Sequence, residues 1–250
     1  MGWNRTATPP DTPGVADYQT DLFAAGSPVL NAGADYERHV LDDRSWLDVS
    51  SHWLSGADEL LVELASRLRW TAAQRPMYGQ MVDEPRLGAQ LKYPAKGSPA
   101  IVNSMAAALG ERYCEDLNSV WVNYYRDGRD SVAWHSDRIG LDPADSLVAI
   151  VSLGGPRRFL LRPKGGGRSR AFTLASGDLL VMGGACQQSW EHSVPKAAVA
   201  PPRMSATFRA SRGGRLTREV PDQTRRALAG SLNFDEQRDG SRAPGRGASV

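Results

Sequence analysis

In the stretch Asn123–Asp137, NYYRDGRDSVAWHSD, His135 and Asp137 stand two residues apart. If Ser131–Asp137 runs extended, alternate side chains share a face, so an imidazole nitrogen and a carboxylate oxygen can be offered to one ion. His192 is the other histidine of the strand-rich half of the chain, since His39 and His52 precede it. Two imidazoles and one carboxylate on one side of a metal leave coordination positions open, the donor set of non-haem iron(II) sites that must also take up a cosubstrate and dioxygen. Taken singly, each histidine has a plainer reading as a core imidazole satisfied by hydrogen bonds.

A second constellation is Arg203-Met-Ser-Ala-Thr-Phe-Arg209. In a strand, Arg203, Ser205, Thr207 and Arg209 share one face while Met204, Ala206 and Phe208 take the other. A guanidinium turned into a barrel interior is costly unless an anion meets it. A carboxylate, which matches the guanidinium fork, is the natural partner.

The elements that must hold these groups are mostly strands. SVWVNYY, SVAWHSD, SLVAIVSL, RRFLLRP, RAFTL, GDLLVMGG, QQSWEHSV and RMSATFRA follow one another at short spacing, divided by Gly, Pro, Asp and Asn. Such a series predicts a jelly roll or related double-sheet barrel, a mainly β fold with flanking helices. Ahead of it, ADELLVELASRL sets Leu60, Leu61, Leu64 and Leu68 on one helical face with acids in the first turn. Ser98-Pro99 before AIVNSMAAALGERY predicts a second helix with Gly110 near its end. Between the helices, residues 70–93 carry Pro76, Gly79, Pro85 and Gly88 among aromatics, the composition of loops and short hairpins where substrate contacts sit. Leu41–Trp53 reads as an extended arm against the core. Residues 1–40, with Pro9-Pro10 and no period, read as a flexible leader, and 213–250 as a disordered tail. The catalytic domain is thereby expected over 41–212.

At 250 residues the chain can bury a sizeable core. Its net charge of +2 sets up no global field, so any polyanion site must be local. Two cysteines, Cys114 and Cys186, argue against a disulfide framework or an iron–sulfur cluster, and fit a reducing interior. No apolar run is long enough to span a membrane, and the N-terminus lacks a signal-peptide pattern, so an intracellular location, cytoplasmic or nucleoid-associated, is expected.

The ordered set Asn123-x-Tyr125, His135-x-Asp137, His192 and Arg203-x-Ser-x-Thr-Phe-Arg209, with the intervening FLLRP, LASGDLLVMGG and QQSWEHSVPK, resembles the AlkB family of iron(II)/2-oxoglutarate dioxygenases. These are nucleic-acid demethylases, and the likeness covers about Trp70 to Ala210. The resemblance implies that His135, Asp137 and His192 hold Fe(II). It implies that Arg203 pairs with the distal carboxylate of 2-oxoglutarate, that Asn123 and Tyr125 hydrogen-bond this cosubstrate, and that Arg209 sits near its metal-binding end. Ser205 stands where relatives often have Asn, with room left for a hydrogen bond. The implied reaction uses dioxygen, turns 2-oxoglutarate into succinate and carbon dioxide, and releases a base's N-methyl group as formaldehyde.

The implied partner is alkylated DNA, with RNA as an extension; the sequence does not specify an oligomeric state, and a monomer is assumed. A base inside a duplex cannot reach a buried metal, so it must be flipped or taken from a single strand. Trp70, Met77, Tyr78 and Arg86 fall in the segment that aligns with the family's nucleotide-recognition lid, and Trp70 or Tyr78 would stack on the base. Trp70 and the Met77-Tyr78 pair also read as ordinary packing. Arg157, Arg158, Arg162, Lys164, Arg168 and Arg170 make a basic stretch suited to a phosphate rim or to a solvated hairpin. One departure is Ile139, two residues after Asp137, where many relatives carry an acid; Asp142 and Asp145 are not assumed to replace it. Because such motifs report the cosubstrate and not the target, hydroxylation of a protein, lipid or small molecule is the alternative.

Overall fold

The computed structural model describes residues 26–77, 80–91, 98–137 and 146–210. In chain order they form β1 (Val29–Leu30), β2 (Glu37–Asp42), β3 (Ser45–Ser50), β4 (Leu54–Ser55), α1 (Ala57–Arg67), β5 (Thr71–Met77), β6 (Gln80–Leu91), α2 (Ala100–Tyr113) and β7 (Ser119–Tyr125). Then come β8 (Val132–His135), β9 (Val148–Gly154), β10 (Arg157–Pro163), β11 (Arg170–Leu174), β12 (Leu179–Gly184), α3 (Cys186–Ser189), β13 (Trp190–Val194) and β14 (Arg203–Arg209).

Alternation along the strands sorts the interior into two cores on opposite faces of one sheet. That sheet has eight strands in the order β2-β3-β12-β9-β14-β7-β6-β5. One face carries Val120, Val122, Tyr124, Ala149, Val151, Leu153, Met204, Ala206 and Phe208, packed with Leu60, Leu61 and Leu64 of α1 and Val102, Met105 and Leu109 of α2. The intervening residues Tyr125, Val148, Ile150, Leu180 and Met182 point the other way, toward Phe159, Leu161 and Trp190 of a four-stranded sheet ordered β11-β10-β13-β8. Helices cover one side and a second sheet covers the other: the jelly-roll arrangement that the strand series predicts. The pocket of interest opens between the two sheets.

Local signals explain both helices. Gly56, at φ 65°, takes the left-handed conformation before α1, and Asp58 and Glu59 favour its positive end. Asp58 is itself buried and accepts a hydrogen bond from the Ser176 hydroxyl. Helix α2 starts after Pro99 and runs three residues past Gly110; the left-handed cap is Cys114, at φ 56°. Gly110 serves close approach, since a Cβ there would lie 2.8 Å from the Glu115 carbonyl oxygen, on the segment leaving the helix.

Three sequence expectations need correction. The supposed leader is structured from Gly26, with β1 and the start of β2 inside it, and Leu30, Ala34 and Tyr36 packed on the helical core. Polar contacts do the holding. Asp48 is 2 % exposed and accepts both Arg38 donors and the Tyr113 hydroxyl, while the Arg112 guanidinium lies 3.4 Å over the Tyr36 ring. The extended arm is strand β3, paired on both sides by β2 and β12. Of the loops and short hairpins expected over 70–93, the described residues from Thr71 to Leu91 show the hairpin and not the loops: β5 and β6 pair along a longer stretch than a short hairpin and join the large sheet through β7. Pro76 is tolerated because β5 is the edge strand, and Pro85 because β6 there lies beyond the stretch paired with β7. Beyond these, QQS of the seventh predicted strand forms the short helix α3 instead. Tyr78, Ile139, the tail at 213–250 and the first 25 residues lie outside the described residues.

Among the described residues no helix is long and apolar enough to cross a membrane. Leu64, 1 % exposed where α1 meets the sheet, is a measure of the helical core. Leu64→Ala is expected to cost about 2–5 kcal/mol in urea unfolding of the whole chain.

Candidate metal and cosubstrate site

Register brings the two histidines together. His192 of β13 is the direct partner of His135 of β8, and their ring centroids are 4.3 Å apart. A bulge in this pair, with His192 opposite His135 but Val194 opposite Val132, turns both Val132 and His135 inward although they are three residues apart. Asp137 follows β8 and reaches the same point, 3.7 Å from His192 Nε2 through Oδ2. The donor atoms of His135, Asp137 and His192 all lie within 4.8 Å of one another.

Each donor is oriented from behind. His135 Nδ1 faces the carbonyl oxygens of Ala133 at 2.9 Å and His192 at 3.1 Å, so its proton sits there and Nε2 keeps the lone pair. The His192 ring stacks on Phe159 and is 5 % exposed. Burial pushes its pKa down to about 4 against the pull of Asp137, so it is a neutral ligand at physiological pH. Asp137 Oδ1 accepts from Arg209 Nη2 at 2.6 Å, and its backbone N–H is donated to the Gln187 side-chain oxygen at 2.8 Å. The second carboxylate oxygen is thereby left on the histidine side.

Beside this cluster, β14 supplies the cationic wall. Arg203 is 1 % exposed, gives Nε to the Ser152 hydroxyl at 3.1 Å, and lies 5.2 Å from the Tyr125 ring centroid. It has no carboxylate among the ion pairs of the described residues. Burial pulls its pKa down to about 10. Such a guanidinium calls for an anion, and the surrounding Asn123, Tyr125, Ser205 and Thr207 add hydrogen-bonding groups to the same pocket. On the strand's Asp137 side, buried Arg209 Nε has no partner within the described residues, which leaves a second donor available to a ligand. The residues fit Fe(II) held by three side chains with a dicarboxylate chelating it and reaching Arg203.

With that geometry in place, comparison with known proteins is decisive. Residues 89–217 match the 2OG-Fe(II) oxygenase superfamily. The chain belongs to that superfamily. It is 29 % identical to "Alpha-ketoglutarate-dependent dioxygenase alkB homolog 3" of Mus musculus over 177 residues, 62 % of either chain. To "DNA oxidative demethylase ALKBH2" of Mus musculus it is 37 % identical over 112 residues, 40 % of this chain and 47 % of the relative. The chain spans less than two thirds of the length of these relatives. The structure described as "The structure of OsALKBH1" shares the fold, with a TM-score of 0.50 at 15 % identity, covering 70 % of this chain and 100 % of that one. Fe(II), 2-oxoglutarate and dioxygen are the reagents of the superfamily.

The structure brings His135, Asp137, His192, Asn123, Tyr125, Arg203, Ser205 and Arg209 to one pocket, and adds Arg86, whose Nε is donated to Asn123 Oδ1 at 3.1 Å. Trp70 is a correction. It packs on Tyr124, on the helical face of the sheet, and donates its indole N–H to the Ala65 carbonyl, so it is core and not a base-stacking platform. Tyr78 lies outside the described residues. Nor is the basic stretch a row of free cations. Arg157, 3 % exposed, donates to the carbonyls of Asp127, Asp130 and Pro195; Arg162 pairs with Glu191; Lys164 and Arg170 bond the carbonyls of Gln187 and Val40. Arg158 and Arg168 remain as exposed candidates for phosphate contact. Gln187, Ser152 and Phe159 escaped sequence reasoning because each acts through a neighbour. Only the inward alternation of Phe159 was readable in advance.

Arg203→Met is expected to leave the melting temperature of the metal-free protein unchanged or raised, because no acid is orphaned. It should abolish the stabilisation that 2-oxoglutarate gives the Mn(II)-loaded protein, read by thermal-shift assay. The His192 shift has its own sign. Between about pH 6.5 and about 4 the unfolded chain takes up a proton that folded His192 refuses. Metal-free protein should therefore lose stability as pH falls through that window and show no slope from this group above it. His192→Gln should flatten that limb in urea unfolding across a pH series.

Proposed function

We propose that this protein is an oxidative demethylase of N-alkylated bases in DNA, dependent on Fe(II) and 2-oxoglutarate, that releases formaldehyde, succinate and carbon dioxide. The observation that carries the reading is the His135–Asp137–His192 cluster lining one pocket with Arg203, a buried cation without an acid partner among the described residues. The name of one relative, a DNA oxidative demethylase, supports the substrate class. Bound iron with 2-oxoglutarate and dioxygen supplies the oxidant that hydroxylates an N-methyl carbon.

The protein's own residues do the positioning. His135, Asp137 and His192 would hold the metal through two imidazoles and one carboxylate, a donor set that leaves coordination positions for the cosubstrate and dioxygen. Arg203 takes the distal carboxylate with help from Ser152 and Tyr125, which fixes the direction in which 2-oxoglutarate enters. Asn123 and Ser205 line its length, and Arg209 holds Asp137 while its free Nε meets the metal-binding end. Val132, Ile150, Phe159 and Val194 keep the pocket apolar around the reaction, which limits access of water.

Recognition of the nucleotide falls to the β5–β6 hairpin. Its outer half projects past the end of β7, and at its root Arg86, paired with Glu84, reaches into the metal pocket. Arg86 and Tyr78 are the substrate contacts we retain; methylated RNA is a second substrate of the same chemistry. A DNA substrate places the enzyme inside the cell, at the nucleoid or in the cytoplasm, and we expect it to act as a monomer.

Purified protein incubated with ferrous ion, 2-oxoglutarate and an oligonucleotide carrying 1-methyladenine or 3-methylcytosine should yield product lighter by one methyl, with stoichiometric succinate, by mass spectrometry. Arg86→Ala should slow this turnover about 10-fold or more while uncoupled 2-oxoglutarate decay continues. Full 2-oxoglutarate decay with intact methylated oligonucleotides would transfer the enzyme to a protein, lipid or small-molecule substrate.

A further inference from the structure

Asn123 is held by donors that cannot act as acceptors. Its Oδ1 receives the Trp121 indole N–H at 3.1 Å and Arg86 Nε at 3.1 Å, while its Nδ2 is donated to the Ser205 hydroxyl at 3.4 Å. Indole and guanidinium nitrogens only donate. Rotating the amide by a half-turn would set its amino group against two N–H groups and lose both bonds. The orientation is therefore dictated, and the second amino hydrogen is free for the pocket in which Arg203 and Ser205 lie.

Trp121 is placed for this by two features. It lies two residues before Asn123 in β7, on the same face. Gly88 of β6 is the register partner of Asn123, and a Cβ built there would stand 2.6 Å from Trp121 Cζ2, 3.1 Å from Cε2 and 3.3 Å from Nε1. Glycine weakens the middle of a strand, and its backbone here is not of the left-handed kind. Its role is to give the indole a floor close enough to Asn123.

We infer that Trp121 is a positioning residue for the cosubstrate: with Gly88 beneath it and Arg86 beside it, its N–H fixes the Asn123 amide so that the amino group is presented to 2-oxoglutarate. The inference rests on the function proposed above. Arg86 thereby has two attachments, to Glu84 within the hairpin and to Asn123 on the cosubstrate strand.

The test is isothermal titration of the Mn(II)-loaded protein with 2-oxoglutarate, in which no turnover occurs. Trp121→Phe keeps the ring's bulk and removes the N–H. Its dissociation constant should rise about three- to tenfold, the worth of one neutral hydrogen bond, with Mn(II) affinity unchanged. Gly88→Ala, which lifts the indole off its floor and keeps its N–H, should weaken 2-oxoglutarate in the same range and serves if the first variant fails to fold. A change below threefold in Trp121→Phe, or in Gly88→Ala where that variant stands in, overturns the inference. Absence of 2-oxoglutarate binding by the Mn(II)-loaded wild type overturns instead the proposed function.

Discussion

A guanidinium at 1 % exposure with no carboxylate to meet it among the described residues is a costly group to bury, and the architecture around Arg203 is intelligible as the means of keeping it there. Strand β14 lies between β9 and β7, so Arg203 cannot swing out to water without breaking pairing on both sides. Ser152 and the Tyr125 ring offset part of the desolvation, and Arg157, although close enough to lower its pKa, is satisfied by backbone carbonyls elsewhere. What remains unmet is the charge itself. Under the proposed function a dicarboxylate bound at the metal would meet it, which would tie cosubstrate affinity to an electrostatic cost already incurred during folding.

The same strand shows how one element serves two ends. Met204, Ala206 and Phe208 anchor it in the helical core while Arg203, Ser205, Thr207 and Arg209 face the pocket. Helices α1 and α2 therefore contribute to the site without lining it, by making one face of the large sheet so well buried that its register cannot slip. A one-residue shift of β14 would exchange Phe208 with Arg209 and destroy core and site together. On the other side, the small sheet needs only to bring His135 and His192 opposite each other, and its bulge does so within a single strand pair.

Much of this was legible beforehand where a signal is local. The helix from Ala100 to Tyr113 and the strands from Ser119 and Arg203 are where their apolar periods put them. The pairing of His135 with Asp137, and the shared face of the arginines, followed from a two-residue period. Less legible were β2 and β3. Their placement rests on Asp48 meeting Arg38 and Tyr113, a contact between residues 10 and 65 positions apart that no window of sequence displays. Trp70 misled for a related reason: an aromatic in a segment rich in proline and glycine looks available for a ligand until its partner, Tyr124, is known.

The chain by itself determined residue chemistry, periodicity and order: which donors exist, which share a face, and that two imidazoles, one carboxylate and two guanidiniums occur on predicted strands. Tertiary structure alone decided which of the charged groups are spent on the fold and which are left for a ligand. Arg157 and Arg203 are both buried arginines in strands, yet one finds three carbonyl oxygens and the other finds no acid. The difference is one of three-dimensional neighbours, because a charge's cost depends on what surrounds it in space and not on what adjoins it in sequence.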